Sequence, residues 1–325
     1  MGTAYQAARR QAASIDRSSR GRIVVSGRDR ASYLQGLLTN DTVALAPGSG
    51  CYSAYLTAQG RMIGDLWVYE LGDVMLLDLA DVETKSAVLT KLDQFIFSED
   101  VQLGDVTDAF AQIAIVGPQS AEIVASLLGA AAPVAEHACV RGEIVGGASI
   151  VTRVTDTGEP GFDLYVERLR LPLLKDALDK AGVVALDAAT ADVLRVEAGV
   201  PAFHRDMDEE TIPLEAGIEA RAINMNKGCY VGQEVIVRVL HRGHGRVAKK
   251  LVGLTMDGGE VPAAGAVVRS QDREIGHVTS AVQSPALERP IALAYLQRDF
   301  LDAGTAVTVN GMNAIVTALP FVPRQ

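Results

Sequence analysis

About eighty residues at the end of the chain carry the pattern that most restricts its fold. After Gly245, short apolar runs with a period of two are separated by turn residues, and no stretch of any length has helical spacing. This pattern is typical of an antiparallel β-barrel or sandwich, because each strand buries one face and each turn joins neighbouring strands. We therefore predict an all-β C-terminal domain over residues 246–325. Its predicted strands are 250–256, 266–270, 274–282, 290–296 and 306–316.

Residues 1–245 have a different pattern, in which helices and strands follow one another in mixed order. No G-x-G-x-x-G string follows a strand, so an α+β fold with mixed or antiparallel sheets is favoured over a parallel doubly wound sheet. We predict two interleaved α+β subdomains here, and a solvated loop over 201–226. The predicted strands are 22–25, 51–56, 62–70, 74–79, 100–106, 110–116 and 162–166, and the predicted helices are 31–38, 81–97, one opening at 117, 170–181 and 187–199.

Charge and cysteine content exclude several classes of protein. The net charge of −10 disfavours a protein that wraps nucleic acid, since phosphate binding needs a concentrated basic surface. No apolar run reaches the length of a membrane span. Cys51, Cys139 and Cys229 are far apart and form no C-x-x-C pair, which argues against a disulfide framework or a self-contained zinc site. We expect a cytoplasmic monomer with no metal site, no direct nucleic-acid partner and no membrane association.

Residues 227–234 place a single thiol in the string K-G-C-Y-V-G-Q-E. Lys227 would lower the pKa of Cys229, and the neighbouring glycine would leave the thiol accessible, which are the two requirements of a reactive cysteine. Gln233 and Glu234 could fix the loop or relay a proton. The alternative is that Cys229 packs as a small apolar side chain.

The predicted strand 62–70 contains an acid, Asp65, whose position among apolar residues requires an explanation. Aspartate is unfavourable inside a strand and costly when it is buried among large apolar residues. Asp65 is therefore either a ligand-binding residue or a solvent-exposed residue at the edge of a sheet. Alternation places it on the face that carries Ile63, Trp67 and Tyr69, opposite the face of Met62, Gly64, Leu66 and Val68.

A second strand acid, Asp163, follows a turn rich in glycine and proline. It shares one face of the strand with Tyr165. A carboxylate can accept two parallel hydrogen bonds from paired N–H groups of a heterocycle. Asp163 could bind a ligand in this way, or it could face solvent, as acids in hairpins commonly do.

The string K-G-C-Y-x-G-Q-E at 227–234, followed by Arg238 and by His241-Arg242-Gly243, resembles the signature of the YgfZ-type folate-binding proteins. These proteins belong with the glycine-cleavage T-protein, an aminomethyltransferase, in one superfamily. Further similarity to the T-protein lies at 14–18, at 27–41, in L-R-V-E-A-G at 194–199 and at the end of the barrel segment. The resemblance implies a T-protein-like α+β fold with a C-terminal barrel.

The resemblance also implies a folate site. In the T-protein, the acid at the place of Asp65 binds folate and assists one-carbon transfer, and a glutamate at the place of Asp163 holds the pterin. This chain differs at Asp78, where the T-protein has asparagine, and at Ala191, where it has an arginine. The implied cofactor is tetrahydrofolate, in an unspecified one-carbon state. The implied cofactor-binding residues are Asp65, Tyr69, Asp78, Asp163, Tyr165, Arg195, Gly228, Tyr230, Gln233 and Glu234, and the implied catalytic residues are Cys229, Lys227 and Asp65.

For function, the YgfZ resemblance implies a tetrahydrofolate-binding protein that acts through Cys229 in the assembly, maintenance or repair of iron–sulfur clusters in partner proteins, including tRNA-modifying enzymes. Two alternatives stay open. As an aminomethyltransferase or other one-carbon transferase, the protein would accept its group from a lipoyl-carrying partner and Cys229 would have no task. As a folate-binding regulator, it would have no turnover.

Overall fold

The computed structural model describes residues 2–241 and 245–323, so Arg242 and Gly243 of the predicted motif lie outside the described residues. The fold is α+β, as predicted: two sheets with helices are followed by a closed β-barrel. In the parts of the chain that the structure describes, no helix has the length and apolar character needed to cross a membrane.

Two of the longer helices begin at an aspartate that satisfies a free backbone N–H group of the first turn. Asp81 and Asp187 each accept a hydrogen bond from the N–H three residues later, at 2.7 Å, which confirms the predicted cap at Asp187. The helix predicted over 81–97 is shorter and ends at Asp93. The helices are α1 (Thr3–Arg10), α2 (Arg30–Gln35), α3 (Val82–Asp93), α4 (Ser120–Leu128), α5 (Leu171–Lys180), α6 (Ala188–Glu197), α7 (Pro213–Ala216), α8 (Glu219–Ala222) and α9 (Gln233–His241).

The strands agree with the predicted runs in most places, because alternating or continuous apolar residues mark them in the sequence. They are β1 (Ala13–Asp16), β2 (Gly21–Ser26), β3 (Ser49–Leu56), β4 (Met62–Glu70), β5 (Met75–Leu79), β6 (Gln102–Asp105), β7 (Phe110–Val116), β8 (Cys139–Ile144), β9 (Gly147–Val154), β10 (Gly161–Glu167), β11 (Val184–Ala185), β12 (Lys249–Met256), β13 (Val267–Ser270), β14 (Arg273–Ser284), β15 (Arg289–Gln297), β16 (Ala306–Val309) and β17 (Met312–Thr317).

These strands form two open sheets and one barrel. One sheet has the order β11-β1-β7-β10-β9-β8, and the other has the order β3-β4-β5-β2-β6. Strand β1 runs parallel to β11 and antiparallel to β7, so the first sheet is mixed. The barrel closes in the order β12-β15-β14-β13-β16-β17, and closure removes the exposed edges that an open sheet would leave.

The strand predicted over 306–316 is two strands, β16 and β17. Asn310 and Gly311 both have positive φ, at 49° and 82°, and join the strands in a tight hairpin. Asn-Gly is the strongest short-range signal for such a turn. The prediction of one continuous strand was wrong, because the turn at Asn310-Gly311 divides the segment into two strands.

The solvated loop predicted over 201–226 was also wrong. This segment contains α7 and α8, and it buries Phe203, Met207, Leu214 and Ile218. These side chains pack in one core cluster with Met62 of β4. Apolar residues spaced between acids and prolines therefore form a buried layer here, which the polar composition of the segment hides.

A β-bulge changes the faces of β4. Tyr55 pairs with Gly64 but Leu56 pairs with Met62, so Ile63 is an extra residue opposite β3. Ile63 consequently packs in the same core cluster as Leu66, whereas Met62 packs in another. The predicted faces of Met62 and Ile63 were therefore reversed.

Candidate functional site

Three adjoining cavities contain most of the polar groups that could meet a ligand. The Asp65 cavity, about 450 Å³, is lined by the β1–β2 turn, β4, α6 and residues 200–205. The Arg221 cavity, about 380 Å³, and the barrel cavity, about 660 Å³, open beside it. All three volumes are in the usual range for small-molecule sites. Each pair of cavities shares wall residues. The Asp65 and Arg221 cavities share Trp67 and Asp156, and the Asp65 and barrel cavities share Val200 and Pro201. The Arg221 and barrel cavities share Thr155 and Arg221.

Asp65 lines the first of these cavities although its side chain is only 5% exposed. The Tyr52 hydroxyl donates to Oδ2 at 2.7 Å, while Oδ1 is buried and has no hydrogen-bond partner among the described residues. Burial raises the pKa of this carboxyl above its usual value, and the Tyr52 hydrogen bond opposes that rise. Asp65 is thus an acid with one free acceptor at a cavity wall.

An aromatic pair stands beside Asp65. The rings of Tyr52 and Trp67 are 5.1 Å apart between centroids and tilted by 51°. Each ring carries a guanidinium on its face: Arg20 lies 4.7 Å from the Trp67 centroid, and Arg221 lies 4.6 Å from the Tyr52 centroid. The cavity wall therefore combines flat apolar surfaces with fixed positive charge.

Asp163 does not line the Asp65 cavity. It is bound by Arg17, which does line that cavity. Arg17 Nη1 donates to both oxygens of Asp163, at 3.2 and 3.1 Å, and Nη2 donates to Asp156 at 2.9 Å. Burial raises the pKa of Asp163. Burial acts in the same direction on Asp156, but the charge of Arg17 outweighs it and lowers the pKa of Asp156. The predicted direct contact between Asp163 and a ligand is not supported, because Arg17 occupies that carboxylate.

Asp78, Tyr69 and Tyr165 are buried, and Asp78 and Tyr165 belong to one hydrogen-bond network. Asp78 accepts hydrogen bonds from Arg20 Nε at 2.8 Å, from Gln112 at 2.9 Å and from the Tyr165 hydroxyl at 2.9 Å. Tyr69 is fully buried in the same cluster as Tyr165. None of these three predicted residues lines the Asp65 cavity, whereas Arg20, which binds Asp78, does.

Arg195 lines the Asp65 cavity, as the folate-site prediction requires, but its guanidinium is already engaged. It donates to Asp206 at 2.6 Å, to Asp192 at 2.8 Å and to Ser280 of the barrel at 2.9 Å. Arg195 thus joins α6 to the segment at Asp206 and, through Ser280, to the barrel. Ala191 lines the same cavity one helical turn earlier, so the T-protein arginine is absent from this wall.

Lys227 has a structural position. Its 8% exposed ammonium donates to the backbone carbonyls of Gln35, Leu38 and Asn40 at 2.8, 2.6 and 2.8 Å. Burial lowers the pKa of Lys227 to about 8, against the opposing effect of Asp41. The prediction that Lys227 serves Cys229 is not supported, because all three ammonium donors are directed to the loop after α2.

The rest of the K-G-C-Y-V-G-Q-E string packs on the β3–β4 hairpin. Cys229 is exposed, whereas Tyr230 is buried against that hairpin. The turn of the hairpin lies close to Gly232, since a Cβ atom at this residue would be 2.5 Å from the Thr57 carbonyl oxygen. Gln233 and Glu234 open α9. The described wall of the Asp65 cavity contains no residue of 227–234, so Gly228, Tyr230, Gln233 and Glu234 are not brought to it.

Family models match both parts of this architecture. Residues 2–227 match the GCVT N-terminal domain, and residues 249–323 match the glycine cleavage T-protein C-terminal barrel domain. The chain belongs to the glycine cleavage T-protein family. This finding supports the superfamily that the sequence analysis named, without distinguishing its YgfZ-type branch.

Individual T-protein relatives resemble the chain over nearly its whole length. Aminomethyltransferases from Streptomyces coelicolor and Streptomyces avermitilis are 32% and 33% identical to it, over 99% of this chain and 89% of each relative. A further aminomethyltransferase, from Lysinibacillus sphaericus, is 30% identical over the same shares. The crystal structure of the glycine cleavage system aminomethyltransferase T from Bartonella henselae superposes with a TM-score of 0.90 at 24% identity, over 99% of this chain and 89% of that one, which shows the shared fold.

Several residues at this T-protein cavity were missed from the sequence. Arg17 and Arg20 line the Asp65 cavity from the β1–β2 turn, and Arg221 of α8 lines the adjoining Arg221 cavity. The available signal was the density of arginine between two short strands, where Arg22 is fully buried as well. Buried or half-buried arginines need acceptors, so such a cluster predicts acids in space even where none is adjacent in sequence.

Proposed function

We propose that this T-protein family member binds tetrahydrofolate in the Asp65 cavity and transfers a one-carbon group to it. The observation behind the proposal is the Asp65 carboxylate, which is buried, lines a cavity of ligand size and has an oxygen without a partner. A buried acceptor without a donor costs free energy. A ligand N–H group that reaches Oδ1 would recover that cost.

The residues of the cavity fit such a ligand. Tetrahydrofolate supplies N–H donors, flat rings and, when loaded, a transferable one-carbon group. At this wall Asp65 offers the acceptor, Trp67 an aromatic ring and Arg17 positive charge. The Tyr52 ring, 5.1 Å from that of Trp67, lines the adjoining Arg221 cavity. The raised pKa of Asp65 also means that this carboxyl holds a proton more readily than a free aspartate does, as suits a group that exchanges protons with a ligand.

Transfer is supported by the relatives. Proteins named aminomethyltransferase share 30% to 33% identity with almost the entire chain, in both the N-terminal region and the barrel. On this proposal the group comes from a lipoyl-carrying partner, as the family resemblance implies. Asp65 would orient the cofactor and Cys229 would have no step.

A second candidate is the YgfZ-type role in iron–sulfur cluster maintenance, and the exposed thiol favours it. Cys229 is exposed within a complete K-G-C-Y-x-G-Q-E string, whereas Cys51 and Cys139 are buried. A single thiolate cannot hold a four-cysteine cluster, so further ligands would come from a client protein. Ala191 in the cavity wall adds a difference from the transferase pattern. Both candidates assume a reducing cytoplasm and a monomer.

Calorimetry with tetrahydrofolate tests the shared part of both candidates. We expect the wild type to bind, Asp65→Asn to lose at least tenfold in affinity because its amide cannot supply the same charged acceptor, and Cys229→Ser to bind like the wild type. Failure of tetrahydrofolate and its methylene and methyl forms to bind the wild type would contradict the proposal.

Two activity measurements then separate the candidates. Release of a one-carbon unit from an aminomethylated lipoyl protein, dependent on Asp65 and independent of Cys229, supports the transferase. Loss of iron–sulfur enzyme activity in cells that carry Cys229→Ser, with folate binding intact, supports the maintenance role. Binding without either activity leaves a folate-binding regulator.

A further inference from the structure

Arg221 differs from the other cationic side chains around the three cavities. Arg17, Arg20, Arg195, Arg205 and Lys250 each form an ion pair with a carboxylate. Among the residues that the structure describes, no ion pair involves Arg221. Its guanidinium instead stacks over the Tyr52 ring, 4.6 Å from the centroid, at the wall between the Arg221 and barrel cavities.

The acids nearest to it in the cavity walls have other partners. Asp156 and Glu136 line the Arg221 cavity, but Asp156 is bound to Arg17 at 2.8 Å and Glu136 accepts a hydrogen bond from the Thr155 hydroxyl at 2.7 Å. The charge of Arg221 acts on Asp65 and Asp156, but among the described residues no carboxylate forms an ion pair with it. A guanidinium that lies over an aromatic ring without such a pair can bind a carboxylate from outside.

The position of Arg221 relative to Asp65 indicates which ligand group this is. Both residues contact the same side chain: the Tyr52 hydroxyl donates to Asp65, and the face of the Tyr52 ring carries Arg221. In folates, an aminobenzoyl ring likewise separates the nitrogens that carry the one-carbon group from the glutamate carboxylates. The order acid, aromatic ring, arginine in the protein matches the order of these groups in the ligand.

We propose that Arg221 binds a carboxylate of the folate glutamate tail and makes the protein select glutamylated folates over the pteroate form, an inference that rests on the proposed folate function. Arg221 is then a specificity-determining residue of the cavity and takes no part in the transfer itself. The tail would lie in the Arg221 cavity, with the barrel cavity open beyond it.

The test compares two ligands that differ only in the glutamate: tetrahydrofolate and tetrahydropteroate. By calorimetry we expect the wild type to bind tetrahydrofolate about tenfold more tightly. Arg221→Met should bind both ligands with the affinity that the wild type has for tetrahydropteroate, and Arg221→Lys should keep part of the difference. Added salt should reduce the wild-type preference, since Arg221 is an exposed residue and its charge is open to screening.

Arg141→Met is the matched control, because Arg141 is an exposed arginine that pairs with Asp73 and lines none of the three cavities. It should keep the wild-type preference. If Arg221→Met weakens both ligands equally, or changes neither, the inference is wrong while folate binding stands. If neither ligand binds the wild type, the proposed function and this inference both fail. Melting temperatures of each variant show whether the fold is retained.

Discussion

Two buried carboxylates of this chain have opposite surroundings. Glu197, at the end of α6, is fully buried and accepts hydrogen bonds from Tyr5 at 2.7 Å and from Arg9 and Ser284, so it joins α1 to the barrel. Asp65 is almost as buried but has one hydrogen bond and one bare oxygen. The fully partnered acid stabilises the fold, and the acid with a missing partner lies at the cavity. On the proposed function, partner count, more than burial, separates the structural carboxylate from the functional one.

Replacing Glu197 should have the largest effect on stability. Glu197→Ala removes the acceptor of three side chains, those of Tyr5, Arg9 and Ser284, at the contact between α1, α6 and the barrel. Arg9 keeps Glu159 and the Tyr5 hydroxyl as partners. We expect a loss of about 3–5 kcal/mol in the free energy of unfolding, as for other broken buried pairs. Urea denaturation measures it. A loss below about 1 kcal/mol would contradict the structural role.

Lys227 extends the comparison to a buried cation with all its donors used. Lys227→Met leaves three carbonyls of the loop after α2 without their donor, and we expect a loss of about 2–4 kcal/mol in urea denaturation. Arg238→Met, at an exposed arginine that pairs with Glu234, is the control and should change stability by less than about 0.5 kcal/mol.

The pH dependence of Lys227 has a defined sign. Its pKa is lowered to about 8 in the folded state, so folding favours the neutral amine. Between about pH 8 and the unperturbed lysine pKa of about 10.4, the unfolded chain binds more protons than the folded chain. Wild-type stability should therefore rise with pH in this window relative to Lys227→Met. Denaturation at pH 7.5 and 10 checks this, and parallel curves for the two proteins would contradict it.

Asp65 should behave oppositely to Glu197. We expect Asp65→Asn to stabilise the protein by about 1 kcal/mol at neutral pH, because it removes a charge whose burial is unfavourable, as functional residues often allow. The raised pKa means that the folded state keeps this proton to higher pH than the unfolded state does, so wild-type stability falls as pH rises above the usual carboxyl range. The stability of Asp65→Asn should not show this decrease with rising pH. A destabilised Asp65→Asn would place Asp65 with Glu197 instead.

Much of the fold could be predicted because its signals are local. The strands of the barrel, the β3–β4 hairpin and the cap at Asp187 each depend on residues close in sequence. The errors also have local causes: the Asn310-Gly311 turn and the bulge at Ile63 each change the pattern by one or two residues. A period-two reading cannot detect such a change once it assumes a continuous strand.

The candidate site could be predicted only in part. Asp65 stood out because aspartate is costly in an apolar strand, and the structure places it at a cavity wall. Asp163, Tyr165, Tyr69 and Asp78 were candidates through the family resemblance, but Arg17 binds Asp163 and Arg20 binds Asp78. Lys227 looked like a neighbour of the thiol because it is adjacent in sequence, but its side chain points to a loop 187 to 192 residues earlier.

The sequence by itself determined most of the strands, the barrel, the family and the presence of a strand acid and a lone cysteine at 229, whereas the exposure of that thiol is known from the structure. The tertiary structure alone decided which acids have partners. Arg17 meets Asp163 from 146 residues away, and Tyr5 meets Glu197 from 192. Apolar periodicity is a property of neighbouring residues and can be read along the chain, whereas charge compensation in a low-dielectric interior depends on contacts that exist only once distant segments have packed together.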